Sequence, residues 1–422
     1  MTNTAAGVRF VGRDIYYGWI VLGVAALAMV GTLPGRTQGL GLITEPLLAD
    51  LGVSRVQFAQ INFVATLIGA LFVGIGALVD RRGSRMVLTA LAVLLGTVVV
   101  AMSRVHGAVM LLVLITLTRG LGQSALSVVS LAMPGKWFRR RLTWAMAVYA
   151  VVMSLGFMMA FPIVGSLVLT WGWRAAWAVI GAALILGLAP VAWALVRPEP
   201  ATNRELEAED AAPSGALTGD WTLGATLRSP AFWVFGVASA MYGLVASGIG
   251  LFNESILATR GFAPGVYHQA LAVTAITGLA GNFAAGAWAD RGSLRRVLVA
   301  ALVLLTAALI ALPHVSTLLH VMGQAVAMGV AGGFVMVVFF SFWGRTYGRR
   351  HLGRIQGVAQ ALTVLASAIG PLLLAWWVEA TGSYAGAFYA VAAVLALLTV
   401  AAVRVRIPSA GTGDSRRPQP SG

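Results

Sequence analysis

The chain has 422 residues, of which 59% are hydrophobic and only 10% are charged, and its formal net charge is +15 at pH 7. Soluble domains average about 25% charged residues, so this composition excludes a soluble protein and predicts an integral membrane protein. The chain has no cysteine and five scattered histidines, which excludes disulfides and gives no metal-binding pattern. We therefore expect no cofactor and no metal. The basic residues lie between apolar runs. A nucleic-acid-binding protein would gather them on one soluble face, so this distribution argues against nucleic-acid binding.

Apolar runs of about 20 residues, long enough to cross a bilayer, alternate with short polar turns along the whole chain. The aromatic residues Tyr16, Tyr17 and Trp19 mark the membrane interface before the first run. The first six predicted spans are residues 17–41, 56–79, 86–105, 108–130, 142–168 and 175–196. The second six are residues 231–252, 267–289, 297–313, 318–342, 355–378 and 384–403. The predicted fold class is an all-α membrane protein with 12 transmembrane helices in two six-helix pseudo-symmetric halves.

A charged, proline-rich stretch separates the two sets of spans. It contains Arg197-Pro-Glu-Pro and a run of acidic residues, a composition that cannot enter the bilayer. We predict an N-terminal half at residues 1–196, a cytoplasmic linker at 197–228, a C-terminal half at 229–407 and a disordered polar tail at 408–422.

The distribution of cations predicts the orientation. Twenty-three of the 29 Lys and Arg residues fall on one predicted face, and only Arg55, Arg104, Arg174 and Arg260 fall on the other. By the positive-inside rule the first face, with both termini, is cytoplasmic. We expect a multi-pass protein of the cell inner (plasma) membrane.

The two halves repeat each other in sequence. The basic turn Gly76-Ala-Leu-Val-Asp-Arg-Arg-Gly-Ser-Arg85, after the second span, recurs as Gly286-Ala-Trp-Ala-Asp-Arg-Gly292 after the eighth. Each Arg costs about 2.5 to 3.5 kcal/mol in hydrocarbon, so both turns must lie at a membrane face. Elsewhere Glu45 matches Glu254 at an offset of 209 residues. Many carriers are built from two repeated halves and bind their substrate at a central site between the repeats.

The repeated turn resembles the loop signature of the major facilitator superfamily. The segments Lys136-Trp137-Phe138-Arg139 and Gly348-Arg349-Arg350 extend the resemblance over nearly the whole chain. Within that superfamily, Asp14-x-x-x-Gly18-Trp19 followed by Pro34 and a cation is similar to the monocarboxylate transporter and oxalate:formate antiporter branch. The resemblance implies a secondary carrier that works by alternating access, as a proton-coupled symport or as an exchanger (antiport).

Arg36 and Arg119 are the two ionisable residues that the predicted spans place at mid-membrane, and such residues are functional hypotheses by default. The run Arg119-Gly-Leu-Gly-Gln123 resembles the fourth-span motif of the superfamily, whose Arg faces the central cavity. Arg119, helped by Arg36, is therefore expected to bind the substrate carboxylate, and Gln123, one turn away on the same helix face, is expected to contact the substrate. Two alternatives stay open: Arg119 braces neighbouring helices, and Arg36 snorkels to the outer interface.

The C-terminal half offers fewer polar candidates. Where monocarboxylate carriers have an Asp and an Arg in the eighth span, this chain has Gly278 and Asn282, which argues against a carboxylate–arginine proton relay there. Asn282 is expected to contact substrate instead. Tyr242 and Trp343 are expected to line the cavity, although aromatic residues at helical spacing also pack bundle interiors.

Four acidic residues are candidates for gating or proton coupling. Asp80 and Asp290 belong to the repeated turns and are expected to hold the inner ends of helices together. Glu45 and Glu254 end the first and seventh spans on the outer side, where they serve as proton acceptors, as latches of an outer gate, or as solvated helix-end charges.

The sequence shows no catalytic constellation near the membrane, so no enzyme is expected. The favoured function is transport of a small organic anion, a monocarboxylate. The alternative is an efflux carrier for apolar or zwitterionic drug-like compounds, and a nitrate or nitrite carrier ranks third. The expected partners are the anion, protons and the lipid bilayer, with no nucleic acid, and the carrier is expected to function as a monomer.

Overall fold

The computed structural model describes residues 7–10, 13–72, 82–138, 142–197, 221–291, 293–348 and 351–408. Two short strands, β1 Gly7–Phe10 and β2 Arg13–Tyr16, pair antiparallel ahead of the first long helix. The remaining regular structure in these ranges is helical. Most of the predicted linker and all of the tail after residue 408 lie outside the described residues.

The long helices are numbered here in chain order. They are α1 Gly18–Val30, α2 Arg55–Ala70, α3 Ser84–Met102, α4 Ala108–Trp137, α5 Leu142–Trp171, α6 Trp173–Leu195, α7 Pro230–Ala258, α8 Pro264–Arg291, α9 Leu294–Ala311, α10 Leu318–Tyr347, α11 Leu352–Thr381 and α12 Ala385–Arg404.

Eleven helical segments in the described ranges are long and apolar enough to cross a membrane. The remaining one is α2, whose predicted continuation from residue 73 to residue 79 lies outside the described residues. The all-α membrane class is confirmed. The count of 12 spans and the cytoplasmic position of both termini stay predictions.

Hydrogen bonds at the helix ends show how the N-terminal half is ordered. At one face, the Tyr16 hydroxyl donates to the Trp137 carbonyl at 2.7 Å and the Tyr17 hydroxyl donates to the Leu195 carbonyl at 2.8 Å. At the opposite face, Arg174 bonds to Asp50 and to the Ser103 carbonyl at 2.7 and 2.9 Å. The start of α1 therefore lies beside the ends of α4 and α6, as alternating spans require. The first face corresponds to the predicted cytoplasmic side.

The first predicted span is broken, as its proline and glycine indicate. The α-helix ends at Val30, a 3₁₀ turn covers Leu33–Gly35, and short helices follow at Thr37–Gly41 and Thr44–Leu51. A Cβ atom at Gly35 would overlap the Thr118 carbonyl oxygen of α4. Only glycine lets α4 approach the broken backbone this closely.

The two halves meet through residues that the repeat makes equivalent. A Cβ atom at Gly41 would overlap the carbonyl oxygen of Gly250, its repeat mate, and the hydroxyl of Tyr267. That hydroxyl donates to the Gly250 carbonyl at 2.7 Å. Equivalent residues that touch lie on the pseudo-twofold axis, and the axis therefore passes between Gly41 and Gly250.

Two further contacts follow the same symmetry, because exchanging the halves converts one into the other. The α5 helix packs on α8, where the His268 ring lies against Gly165, and α2 packs on α11. Val56 and Ala375 line one depression between α2 and α11. These contacts all lie at the predicted outer side, and we call them together the outer gate. The gate is closed in this structure.

We expect Gly41→Ala to shift the carrier towards an open outer gate, because the added methyl group meets Gly250 and Tyr267 only in the closed form. The native chain has no cysteine, so Ala375→Cys supplies a single, fully buried reporter at the α2–α11 contact. Labelling by a membrane-impermeant maleimide should be faster in the Gly41→Ala background.

Gly23→Ala is the matched control, since Gly23 lies in the same predicted first span as Gly41 and a Cβ atom there meets nothing within 4 Å. It should leave the labelling rate unchanged. Equal rates in the Gly41→Ala and Gly23→Ala backgrounds would show that the Gly41 contact does not govern closure.

Candidate functional site

The middle of α4 has a local change of helix type at the first candidate residue. The chain is π-helical from Arg119 to Leu126 and α-helical on both sides. Such π segments are rare and often occur at functional sites. Gly69 of α2 brings its helix close, since a Cβ atom there would come within 2.8 Å of the Arg119 Cβ. Small residues in α2 and in the broken first span thus surround the start of the π segment.

Arg119 is buried at the junction of three helical segments, with 2% of its surface exposed. Its Nη1 donates to Gln123 Oε1 at 2.6 Å, to Thr37 Oγ1 at 3.0 Å and more weakly to the Gly35 carbonyl at 3.4 Å. Its Nη2 donates to Asn62 Oδ1 in α2. All these acceptors are neutral oxygens. In the part of the chain that the structure describes, ion pairs join only Glu45 to Arg55 and Asp50 to Arg174, so the charge of Arg119 has no carboxylate partner there.

Arg36 lies close by and is more accessible. It occupies the residue between the 3₁₀ turn and the helix Thr37–Gly41 and is partly exposed. Its Nε donates to Thr32 Oγ1 at 2.7 Å, and its Nη2 lies 2.9 Å from the Met29 sulfur and 3.5 Å from Ser127 Oγ. The guanidinium carbon lies 5.2 Å from the centroid of the Phe157 ring, a cation–π distance.

One nitrogen of the Arg36 guanidinium, Nη1, is available to donate a hydrogen bond to a ligand. Among the described residues its Nη1 makes no hydrogen bond and the side chain has no carboxylate partner. Gln123 is exposed, and Ser127, which Arg36 approaches, lies one helical turn further along α4. Gln123, which the spacing placed on the same helix face as Arg119, accepts a hydrogen bond from it and connects the buried cation to the accessible surface near Arg36.

The candidates of the C-terminal half occupy different environments. Asn282 of α8 and Tyr242 of α7 are both partly exposed, and the Tyr242 hydroxyl rests against the backbone at Gly332 of α10. Trp343 is different: only 1% of its surface is exposed, and its ring centroid lies 5.2 Å from Phe232 and 5.1 Å from Phe342. Trp343 therefore packs the interior of the C-terminal half, and we leave it out of the binding set.

The acidic candidates fall into two groups. Glu45 forms a two-point ion pair with Arg55, at 2.6 and 3.3 Å, and lines two depressions together with Glu254. The repeat-related glutamates thus meet at the outer gate. Asp80 and the side chain of Asp290 lie outside the described residues, and their roles stay predictions.

Sequence reasoning missed two polar residues in these regions. Asn62, which accepts from Arg119, is buried in α2, and His268, 4% exposed, lines the depression between Glu45 and Glu254. The available signal was a lone asparagine and a lone histidine, each inside an apolar span. Their partners come from helices far away in sequence.

Comparison with known proteins bears on the fold. The profile of the family described as Major Facilitator Superfamily matches residues 20–256 and again residues 235–421. No curated protein gives a significant match.

Solved structures give matches at low sequence identity. A bacterial homologue of the human lysosomal transporter Spinster, in an inward-facing and occupied conformation, has a TM-score of 0.64 at 15% identity, covering 91% of this chain and 95% of that one. The nucleoside transporter NupG has a TM-score of 0.72 at 13% identity, covering 91% of this chain and 98% of that one. At these identities the likeness shows the fold alone.

We expect Asn62→Leu to destabilise the protein, because it removes an acceptor from a buried cation. Leaving a buried polar group unsatisfied costs about 1 to 3 kcal/mol, and more for a charged group. Thermal unfolding of purified protein should show a lower midpoint for Asn62→Leu. Adding Arg119→Met should recover part of the loss, since removing both partners is less costly than removing one.

Thr116→Val is the control, because Thr116 bonds only to the Leu112 carbonyl of its own helix at 2.7 Å. It should change the midpoint little. If Asn62→Leu unfolds at the wild-type temperature, Asn62 does not stabilise Arg119.

Proposed function

The chain belongs to the major facilitator superfamily, and it is a membrane transporter, not an enzyme. We propose that it carries small organic anions, namely monocarboxylates, by alternating access between its two halves. The observation that carries the proposal is the pair of uncompensated cations in the N-terminal half. The closed outer gate fits one end state of such a cycle, in which the halves meet at the outer side.

Charge balance supports an anionic cargo. Arg36 and Arg119 lie in or beside the membrane-spanning part, and no Asp or Glu occurs between residues 15 and 44 or between residues 81 and 198. The described ion pairs involve neither arginine. A guanidinium inside the membrane is costly when it lacks a counter-charge, so a bound anion would lower the free energy of this region.

The geometry supports different roles for the two arginines. Arg119 is almost fully buried, and its Nη1 and Nη2 donate to neutral acceptors on three helical segments, while its Nε has no hydrogen-bond partner among the described residues. We assign it the role of holding Gln123 and the segment around Thr37 in place and of adding positive potential. Arg36, partly exposed and with a free Nη1, makes the direct contact with the carboxylate.

The surroundings of Arg36 indicate the chemical character of the cargo. Met29 and Phe157 flank the guanidinium, and Phe157, which is partly exposed, offers an apolar surface to a short hydrocarbon group. Gln123, Asn282 and Tyr242, all at least partly exposed, are the polar groups we propose to contact the rest of the substrate. A small carboxylate with an apolar end fits this combination, because the charged and apolar portions meet matched surfaces.

We further propose that the carrier is a monomer in the cell inner membrane and that it is either proton-coupled or an exchanger. The chain carries no phosphate-binding loop of the Gly-x-x-x-x-Gly-Lys-Ser/Thr type, which supports gradient-driven transport.

The test is uptake of radiolabelled lactate, pyruvate, oxalate and formate into proteoliposomes, with and without a pH gradient. Wild-type protein should transport at least one of them. Arg36→Gln should raise the half-saturating concentration about 10- to 150-fold, the loss of a charge-assisted hydrogen bond. Arg36→Lys should show a smaller loss, since lysine keeps the charge but lacks the planar fork of donors.

Arg260→Gln is the matched control, since it removes an equal charge at the outer side, where Arg260 bonds to the Val315 carbonyl at 3.4 Å. It should leave the half-saturating concentration unchanged. If wild-type protein transports none of the carboxylates but exports apolar or zwitterionic dyes, the anion proposal is wrong and the drug-efflux alternative stands.

A further inference from the structure

Three titratable side chains from both halves converge inside the closed outer gate. Glu45 belongs to the helix Thr44–Leu51, Glu254 to α7 and His268 to α8, and all three line one depression of about 300 Å³. The α5 wall of this depression is apolar and consists of Val168 and Leu169. The depression exists only because the two halves meet, since its walls come from both.

Two of these three side chains lack a partner in the described part of the chain. Glu45 accepts from Arg55, but Glu254 makes neither a hydrogen bond nor an ion pair there. His268 is 4% exposed, makes no hydrogen bond to the described residues, and its ring is held against Gly165 of α5. A largely buried imidazole and a partly exposed carboxylate, both without protein partners among the described residues, thus line the same depression, which points to a small ligand taken up there.

The other titratable groups facing this region are already engaged or lie at its edge. The Tyr267 hydroxyl donates to Gly250, and the Tyr384 hydroxyl is 3.1 Å from Ser255 Oγ. Glu379 of α11 lines the neighbouring depression with Glu45 and Arg55. Arg55 is thus the only cation among these groups, and it faces Glu45, Glu254 and Glu379.

Closure of the gate therefore gathers an excess of negative charge. In the open state water separates and solvates the carboxylates, whereas in the closed state the partly exposed Glu45 and Glu254 share one depression. Like charges brought together at reduced solvation repel, and a bound proton removes the repulsion. Either a carboxylate or the imidazole can hold that proton, and its apparent affinity belongs to the group as a whole.

We propose that Glu45, Glu254 and His268 form a proton-binding site within the outer gate, and that the proton bound there holds the gate shut. The ligand is the proton itself, taken from the outer solution. This inference rests on alternating access of the proposed carrier but not on the identity of its anion, so it survives if another cargo is found.

The proposal fixes the direction of a pH effect. The closed gate binds more protons than the open gate, so the ratio of closed to open molecules rises as the pH falls. Linkage of one proton changes that ratio by up to about tenfold per pH unit in the range where the site titrates. Acid outside closes the gate, and alkaline solution opens it.

Distance measurement between spin labels tests this without any substrate. Because the native chain has no cysteine, Val109→Cys and Leu319→Cys give a single pair at the outer ends of α4 and α10, where both residues are 78% exposed. In lipid nanodiscs, double electron–electron resonance should show a longer distance gaining population from pH 5 to pH 9. The wild-type titration alone can overturn the proposal, because distance distributions that do not change with pH exclude the site.

Two variants locate the proton. Glu254→Gln removes the uncompensated charge, so the short distance should dominate at every pH. His268→Gln removes one proton acceptor, so the midpoint of opening should move to lower pH.

Asp50→Asn is the matched control: it removes a carboxylate of the same face that is bonded to Arg174 at 2.7 Å within the N-terminal half. It should reproduce the wild-type profile. If Glu254→Gln also follows the wild-type profile, or if His268→Gln leaves the midpoint in place, the three-residue site is wrong.

Discussion

A guanidinium within the membrane, without a carboxylate to balance it, is the constraint on which this structure depends. Arg119 cannot be left unsolvated in hydrocarbon, so the protein surrounds it with neutral oxygens from α2, α4 and the segment after α1. Those oxygens are available because the first span is broken: Gly35 ends a 3₁₀ turn and Thr37 begins a new helix. The break, the glycines at the α4 contact and the π segment act together to solvate one charge.

The same break exposes Arg36 and supplies the residues that close the outer gate. The helix Thr37–Gly41 brings Gly41 onto Gly250, so the backbone rearrangement near the cations is continuous with the contact between the halves. Because the halves are repeats, closure places equivalent residues close together, glycine against glycine and Glu45 near Glu254. Symmetry thus favours close packing at the axis and causes like-charge repulsion beside it. The carrier holds unbalanced positive charge in its N-terminal half and unbalanced negative charge at its gate.

The sequence predicted those features that depend on local pattern. Hydrophobic run lengths predicted the helices, Pro34 and Gly35 predicted the loosened first span, and the four-residue spacing placed Gln123 on the same helix face as Arg119, where the two residues are bonded. It did not predict contacts between distant helices. Asn62 lies 57 residues from Arg119, and nothing in its own segment indicates that pairing.

The sequence also did not predict which of the candidate side chains are buried. Trp343 is an aromatic residue of a type that often lines cavities. Only the packing of α7 against α10 shows that its side chain is enclosed. Arg119, which the resemblance placed at a central cavity, is likewise enclosed in this structure, with 2% of its surface exposed. The central claim is that the carrier prefers an anion. Titration calorimetry of the purified carrier tests it most directly, by comparing the affinity for a small carboxylate with the affinity for its uncharged amide, such as pyruvate with pyruvamide or lactate with lactamide. We expect at least one carboxylate to bind ten or more times tighter than its amide, about 1.4 kcal/mol or more. Equal affinity for every carboxylate and its amide would contradict it.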